Sequence, residues 1–300
     1  MNDEINSITV IIPAYNEERG LEKLLPKFEQ PCVELGWKVI VVNDGSNDNT
    51  ANVVERIAPW VKLINLSHNH GYGAAIKIGI RAAKTQWIAM CDADGQHEIS
   101  DLKMLCSKIG EIDAIIGCRT SDSHKHLSRI PGKFILNHLA NFIIGHSVPD
   151  INCGLRVIRR EAILSIMGLT SDAFSFSTST LLALIKTNRN IIFVPVTLQK
   201  RIGKSSVRQV KDGLNTLLLI TRLIVLFDPM RLFIPISALL ILTATLNQIY
   251  VMWSFGANVS KSTVLLFISG IVMFSFALLA DQIASLRREI AMFDQNHQNR

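Results

Sequence analysis

The sequence contains no CxxC pair. Its five cysteines, Cys32, Cys91, Cys106, Cys118 and Cys153, are scattered and odd in number. That excludes a zinc ribbon or a disulfide scaffold and suits a reducing compartment. Aromatic residues make up only 7% of the chain, and none is interleaved with a basic tract. The formal charge of +6 therefore does not read as a nucleic-acid surface; it suits work beside anionic lipid or phosphate. The first ten residues, MNDEINSITV, are acidic and hold no apolar run of the secretory kind. Internal repeats and low-complexity tracts are missing as well.

Charge itself is absent from two long stretches. Residues 232–260 are 29 positions without Asp, Glu, Lys or Arg, and residues 262–280 are another 19. A helix of about 20 apolar residues spans a bilayer core, so both stretches qualify, although Asn247 and Gln248 interrupt the first. The alternative is a buried helical hairpin of a soluble protein. Arg222, Arg231, Arg287 and Arg288 flank the pair, whereas the connector carries only Lys261, which by the positive-inside rule places both ends in the cytoplasm. Before the first stretch, Val207, Val210, Leu214, Leu217 and Leu218 recur at helical spacing among Lys204, Arg208 and Lys211. That pattern fits either a helix lying in the membrane interface or one covering a sheet.

What is present begins with short β-branched runs alternating with helical patterns. Strands are expected at 8–12, 38–42, 62–66, 87–90, 114–117 and 191–196. Helices are expected at 17–35, 49–57, 73–83, 100–108 and 132–144. Such alternation predicts an α/β fold with a mostly parallel sheet, whose ligands bind beyond the carboxyl ends of the strands. Three of those ends carry polar chemistry.

The fourth strand runs into QWIAMCDADGQHE. In an extended segment residues i and i+2 share a side, so Asp92 and Asp94 are expected to aim their oxygens at one spot. A hard cation such as Mg²⁺ or Mn²⁺, holding a diphosphate, would relieve their repulsion. His97 reads as a loop residue beside that cation. After the first strand, VIIPAYNEE offers Pro13 and Tyr15 as a slot for a flat base and Glu17 as an acceptor for a ribose hydroxyl; alternatively Asn16 caps a helix whose first turn holds Glu17 and Glu18. After the second, VVNDGSNDNT offers Asp44 to a base N–H, or a helix cap at 48–50. HNHGYGAAIKIGI has Gly71 and Gly73 but Ile76 where a third glycine belongs, so it is no dinucleotide fingerprint. DADG has the wrong spacing for a calcium loop.

These pieces, in this order, resemble family 2 glycosyltransferases of the GT-A fold: VIIPAYNEE, VVNDGSNDNT, GYGAAIKIGI, DADGQH, GCR at 117–119 and DINCGLRVIRRE at 150–161. With FDPMRLFIP and the two uncharged stretches, the chain is most similar to the polyprenyl-phosphate glycosyltransferases, which include dolichol-phosphate mannose synthases and GtrB-type enzymes. The resemblance implies a GT-A domain over 1–204 and a juxtamembrane amphipathic segment over 205–230. A hairpin of two transmembrane helices over 231–286 (about 232–253 and 262–281) and a tail over 287–300 would follow. It implies inverting transfer of a sugar from a UDP- or GDP-linked donor to undecaprenyl or dolichyl phosphate, with Mg²⁺ or Mn²⁺ as cofactor and membrane lipid as partner. The resemblance also allows a homo-oligomer and implies no nucleic-acid partner.

Residue by residue, Asp92, Asp94 and Gln96 match the family's metal ligands. Asp44 matches the acid that reads the base, and Pro13, Tyr15, Glu17 and Asp92 complete the nucleotide pocket. Arg119 is similar to the ligand of the acceptor phosphate, joined by Arg129 and Lys133 and by the basic segment of Arg201 and Lys204. Asp150 sits where related enzymes keep an acid needed for transfer, as an orienter first and a base second, so that Asp150, Asp94 and Arg119 form the expected catalytic group. DADGQH departs from the DADLSH type and leaves the sugar open. Two alternatives stand beside this reading. A processive polysaccharide synthase would carry a Q/R-x-x-R-W motif, which none of Trp37, Trp60, Trp87 and Trp253 completes; the other is a catalytically inactive membrane protein of the same fold.

Overall fold

The computed structural model describes residues 8–119, 148–173, 175–199, 224–226 and 228–298. The expected helix at 132–144 and the amphipathic pattern of 207–218 lie outside them. The chain divides into two units, Met1–Leu214 and Asn215–Arg300.

In the first unit the order is β1 (Ile8–Ala14), α1 (Glu18–Glu34), β2 (Lys38–Asn43), α2 (Thr50–Ile57), β3 (Lys62–Asn65), α3 (Tyr72–Ala82), β4 (Trp87–Met90), α4 (Ile99–Cys106) and β5 (Ala114–Arg119). Then come β6 (Arg156–Arg159), α5 (Arg160–Ile166), α6 (Phe176–Lys186) and β7 (Ile191–Val196). One seven-stranded sheet results, in the order β3-β2-β1-β4-β6-β5-β7. It is parallel except for β6, which runs antiparallel to both β4 and β5. All residues of β1 and β4 are buried, as expected of central strands covered on both faces. One face packs Leu21, Leu25 and Phe28 of α1 and Leu102 and Leu105 of α4 against Val10, Ile12, Trp87 and Val157. Burial of those α1 side chains holds the helix together although Pro26 and Pro31 remove two backbone donors from it. The other face carries α3, which touches β1, β2 and α6.

Pro13 is part of β1, buried and in register with Val42. Residue 11 turns its backbone toward β4, since Cys91 N–H donates to the Ile11 carbonyl at 3.1 Å. Residue 13 faces the same way and has no N–H to continue the ladder. Pairing of β1 with β4 accordingly stops at Ile11↔Met90.

The second unit holds α7 (Met230–Phe255) and α8 (Lys261–Gln298). Met230–Phe255 and Lys261–Arg287 are long and apolar enough to cross a membrane, with mean hydropathies of 1.8 and 2.4. Their burial runs opposite to that of a soluble hairpin. Only 11% of each apolar window is buried, and Leu239, Leu242, Leu246, Leu265, Ile268 and Leu279 all face outward. The seam is small and polar. Thr263, Gly270, Ala277 and Ala284 recur every seventh residue and are buried, as are Ser237 and Ala244 opposite, the pattern by which helices approach in lipid. Ser237 Oγ donates to the Gly270 carbonyl at 2.8 Å. The interruption at Asn247 is explained too: its amide nitrogen lies 2.9–3.1 Å from the hydroxyls of Ser260, Ser262 and Thr263, sharing its two protons among them, and tethers the connector. A side chain at Gly270 would meet Ile241. Gly270→Leu is expected to cost about 1–3 kcal/mol by overpacking, read as a lower melting midpoint in detergent; an unchanged midpoint would remove Gly270 from the seam.

Candidate functional site

The carboxyl ends of β1, β2, β4 and β5 open on one edge of the sheet, and the antiparallel β6 delivers its incoming segment, residues 150–155, to that same edge. Each loop is fixed by side chains of its neighbours. After β1, Asn16 adopts φ 54, a left-handed conformation that asparagine tolerates. Its Oδ1 accepts the Asn47 N–H at 2.8 Å while its own N–H donates to Ser46 Oγ. It is therefore a lock between the first two loops and not the helix cap considered from sequence, because α1 starts after Glu17, whose N–H donates to Thr50 Oγ1. Tyr15 is exposed and Glu17 half-buried beside it. Pro13 is buried in β1, where it ends the β1–β4 ladder.

Asp44 is almost fully buried. Its two oxygens accept the N–H groups of His70 and Gly71 at 2.8 and 2.9 Å. This acid shapes the loop ahead of α3, leaving only its remaining lone pairs for a base.

The acids after β4 do not sit on a strand. β4 ends at Met90, and residues 92–95 form a turn with Gly95 at φ 72. Strand alternation thus does not place Asp92 and Asp94; the turn does. Asp94 is buried and its Oδ1 accepts the Gln96 N–H at 3.1 Å. The Asp92 side chain is 31% exposed, and its Oδ1 accepts the Tyr72 hydroxyl at 2.7 Å. Two backbones press on this turn. A Cβ on Gly20 of α1 would overlap the Ala93 carbonyl, and one on Gly154 would overlap the Asp92 carboxylate. The second contact follows from register, because Met90 pairs with Arg156, which sets Gly154 opposite Asp92. His97 is buried, with Nε2 4.0 Å from Asp92 Oδ2 and no partner for Nδ1 among the described residues. Burial lowers its pKa and outweighs the nearby Asp92 charge.

Among the described residues no three His, Cys, Asp or Glu side chains form a metal cage. The donor set nonetheless fits a hard divalent ion, which takes one or two carboxylates and fills its other positions with water and phosphate oxygen. Asp92 and Asp94 supply the carboxylates. Gln96 uses its amide nitrogen on the Gln199 carbonyl at 3.2 Å, so its amide oxygen is the atom left to join them.

Arg119 and Asp150 form one unit. Arg119 Nε and Nη2 donate to the two Asp150 oxygens at 2.5 and 2.7 Å, and the backbone N–H groups of Arg119 and Asn152 add two more bonds. Burial alone would raise the Asp150 carboxyl, but the guanidinium and the backbone donors overcome it and hold the acid below its ordinary range. Burial likewise works against the charge on Arg119, while Asp150 keeps it protonated. The fork expected to hold an acceptor phosphate is thus occupied by Asp150, and Nη1 is the nitrogen free of that pairing. Arg129, Lys133, Arg201 and Lys204 lie outside the described residues.

Sequence reasoning missed Tyr72, Gly154 and Arg156. Arg156 is fully buried and donates to the carbonyls of Cys153, Ser177 and Ile151 at 2.6–3.1 Å, which shapes the 150–154 segment. Only the position of GLR within DINCGLRVIRRE hinted at it. Cys153, Cys32 and Cys106 are packing groups, their thiols pushed up to about 12 by burial and therefore unreactive.

Comparison with known proteins agrees with this arrangement. Residues 9–166 match the model of glycosyl transferase family 2, and residues 228–286 match the GtrB C-terminal hairpin. The dolichyl-phosphate beta-glucosyltransferase ALG5D of Trichomonas vaginalis is 35% identical over 178 residues, 52% of this chain and 54% of that one. The undecaprenyl-phosphate 4-deoxy-4-formamido-L-arabinose transferase of Proteus mirabilis is 31% identical over 167 residues, 54% of this chain and 51% of that one. The chain spans about half the length of the curated relatives it matches. Among solved structures, glucosyl-3-phosphoglycerate synthase of Mycobacterium tuberculosis, crystallised with Mn²⁺, UDP and glucosyl-3-phosphoglycerate, shares the fold at a TM-score of 0.58. It is 17% identical, and the match covers 75% of this chain and 83% of that one. A mostly parallel sheet of GT-A type with its acids gathered at one edge, and a family model that covers more than half of the sequence, converge on one assignment: the chain belongs to glycosyl transferase family 2.

Proposed function

We propose that the protein is a membrane-bound, inverting glycosyltransferase that moves a sugar from a nucleotide sugar to a polyprenyl phosphate. The observation that carries this reading is the joining, in one chain, of the Asp92–Asp94 turn and the Arg119–Asp150 pair with a hairpin whose large apolar side chains face outward. Asp92, Asp94 and Gln96 would hold Mg²⁺ or Mn²⁺. Bound there, such an ion stabilises negative charge on a departing diphosphate.

The chain's own groups do the rest. Tyr15 and Glu17 border the nucleotide, and Asp44 sets the loop that closes on it. An acceptor phosphate is already ionised near neutral pH, so positioning it in line with the sugar C1 is the main requirement, and positioning can supply about 7–11 kcal/mol. Arg119 would hold that phosphate, through Nη1 or by exchanging Asp150 for it. A carboxyl held low in pKa is a poor base near neutrality, so Asp150 acts as the keeper of Arg119. Arginines outside the two spans and a nearly uncharged connector favour both ends of the hairpin facing the cytoplasm.

The test is incubation of the detergent-purified chain with a panel of UDP- and GDP-sugars, short-chain polyprenyl phosphate and Mn²⁺. A lipid-linked sugar of inverted anomeric configuration by NMR is expected from one donor. No lipid product from any donor would overturn the proposal, and retention would overturn the single displacement. Transfer of many sugars in succession would favour the processive alternative.

A further inference from the structure

Asp92 is held by a chain of hydroxyls that no acid-and-glycine motif announces. Tyr72 donates to its Oδ1 at 2.7 Å. The Ser177 hydroxyl stands beside the Tyr72 oxygen. Ser177 stands in the first turn of α6, where its carbonyl accepts Arg156 Nη1 at 2.6 Å. Tyr72 is fixed from both sides in sequence. Asp44 grips the N–H groups of the two residues before it. After it, Ala74 N–H donates to the Asp172 carbonyl at 3.0 Å, and Lys77 Nζ reaches the Thr170 carbonyl and Asp172 at 2.7 Å.

A phenol has one proton to give. A carboxylate only accepts, so that proton goes to Asp92 Oδ1, and the Tyr72 oxygen is left to accept from Ser177. Oδ1 then carries a neutral donor, while Oδ2 lies against Gly154 and 4.0 Å from His97 Nε2, so the carboxylate is oriented from both sides. We propose that Tyr72 is a positioning residue: through its bond to Oδ1 it fixes the direction in which the Asp92 carboxylate is presented to the divalent ion, with Ser177 supporting the phenol from behind. This rests on the assignment of Asp92 to metal binding made above. Tyr72 acts through Asp92 and touches no reacting atom.

Mn²⁺ alone is the probe, titrated into the full-length chain in detergent and followed by electron paramagnetic resonance, with melting curves for every variant. Tyr72→Phe retains the ring and removes one oxygen. It is expected to bind Mn²⁺ roughly 10–100-fold more weakly, as loss of an outer-shell partner does, with a melting midpoint near wild type and an altered line shape of the bound ion. Ser177→Ala should move the affinity the same way by less. Asp92→Ala should abolish binding. Tyr72→Phe binding equal to wild type, with Asp92→Ala still defective, overturns the role of Tyr72 and leaves Asp92 as a ligand. Equal binding by Asp92→Ala overturns both. Should Tyr72→Phe fail to fold, Ser177→Ala decides: wild-type affinity and line shape there overturn the proposal.

Discussion

Gly154→Ala is expected to leave the protein folded and to reduce both Mn²⁺ affinity and sugar transfer by at least about 100-fold. The added methyl would occupy space now filled by the Asp92 carboxylate. Something must move, and the carboxylate, at the end of a short side chain, moves more easily than β6. The damage therefore falls on binding while the melting midpoint stays near wild type. Gly20→Ala provides the contrast. Its methyl would strike the Ala93 carbonyl and the Asp94 backbone, so the turn itself must shift and stability should fall with activity. Calorimetric Mn²⁺ titration and thermal melts of the two variants separate these outcomes. A Gly154→Ala enzyme that binds Mn²⁺ as well as wild type would show that Asp92 has no fixed part in the site.

The second large effect concerns the buried ion pair. Asp150→Ala leaves the Arg119 fork and two backbone N–H groups without their acceptor, and breaking such a pair costs about 3–5 kcal/mol. Because the Arg119 side chain is 25% exposed, water recovers part of the loss, and the lower half of that range is expected in urea melts. The pH dependence has a definite sign. The folded Asp150 titrates below its ordinary value of 3.8, so the unfolded chain takes up the proton first as pH falls. Its contribution is complete above 3.8 and disappears as pH falls through the lower folded value. The gap between wild type and Asp150→Ala should therefore narrow on acidification below pH 3.8. A gap that stays constant between pH 7 and pH 3 would mean that the carboxylate contributes no charge-dependent stability.

Much of this architecture was legible in the sequence. The six expected strands all occur, because β-branched runs such as VIIPA and KVIVV bury both faces and have no competing period. The seventh, β6, was hidden by its own composition: RVIR is too short and too charged to read as a central strand, and only the structure shows Arg156 buried against three carbonyls. The helix at Phe176–Lys186 was missed for a related reason. Its FSTST start is rich in hydroxyls that usually mark loops, yet here they are buried.

The site was legible as a set of residue types and less so as geometry. Asp92, Asp94, Arg119 and Asp150 were found from acids and bases at strand ends. The turn that holds the first two, the mutual clamp of the last two and the hydroxyl chain through Tyr72 depend on contacts between segments up to about a hundred positions apart, which no local spacing encodes. Pro13 shows the limit from the other side. Its position after a strand was noticed, but the direction of its missing N–H becomes meaningful only once the neighbouring strand is known to be β4.

That proline has one further consequence. Two parallel strands that end side by side will keep zipping while donors last, and here the zipper is short by one tooth at residue 13. Beyond Ile11 and Met90 the two strands are thus left unlaced by backbone chemistry alone, whatever side chains surround them.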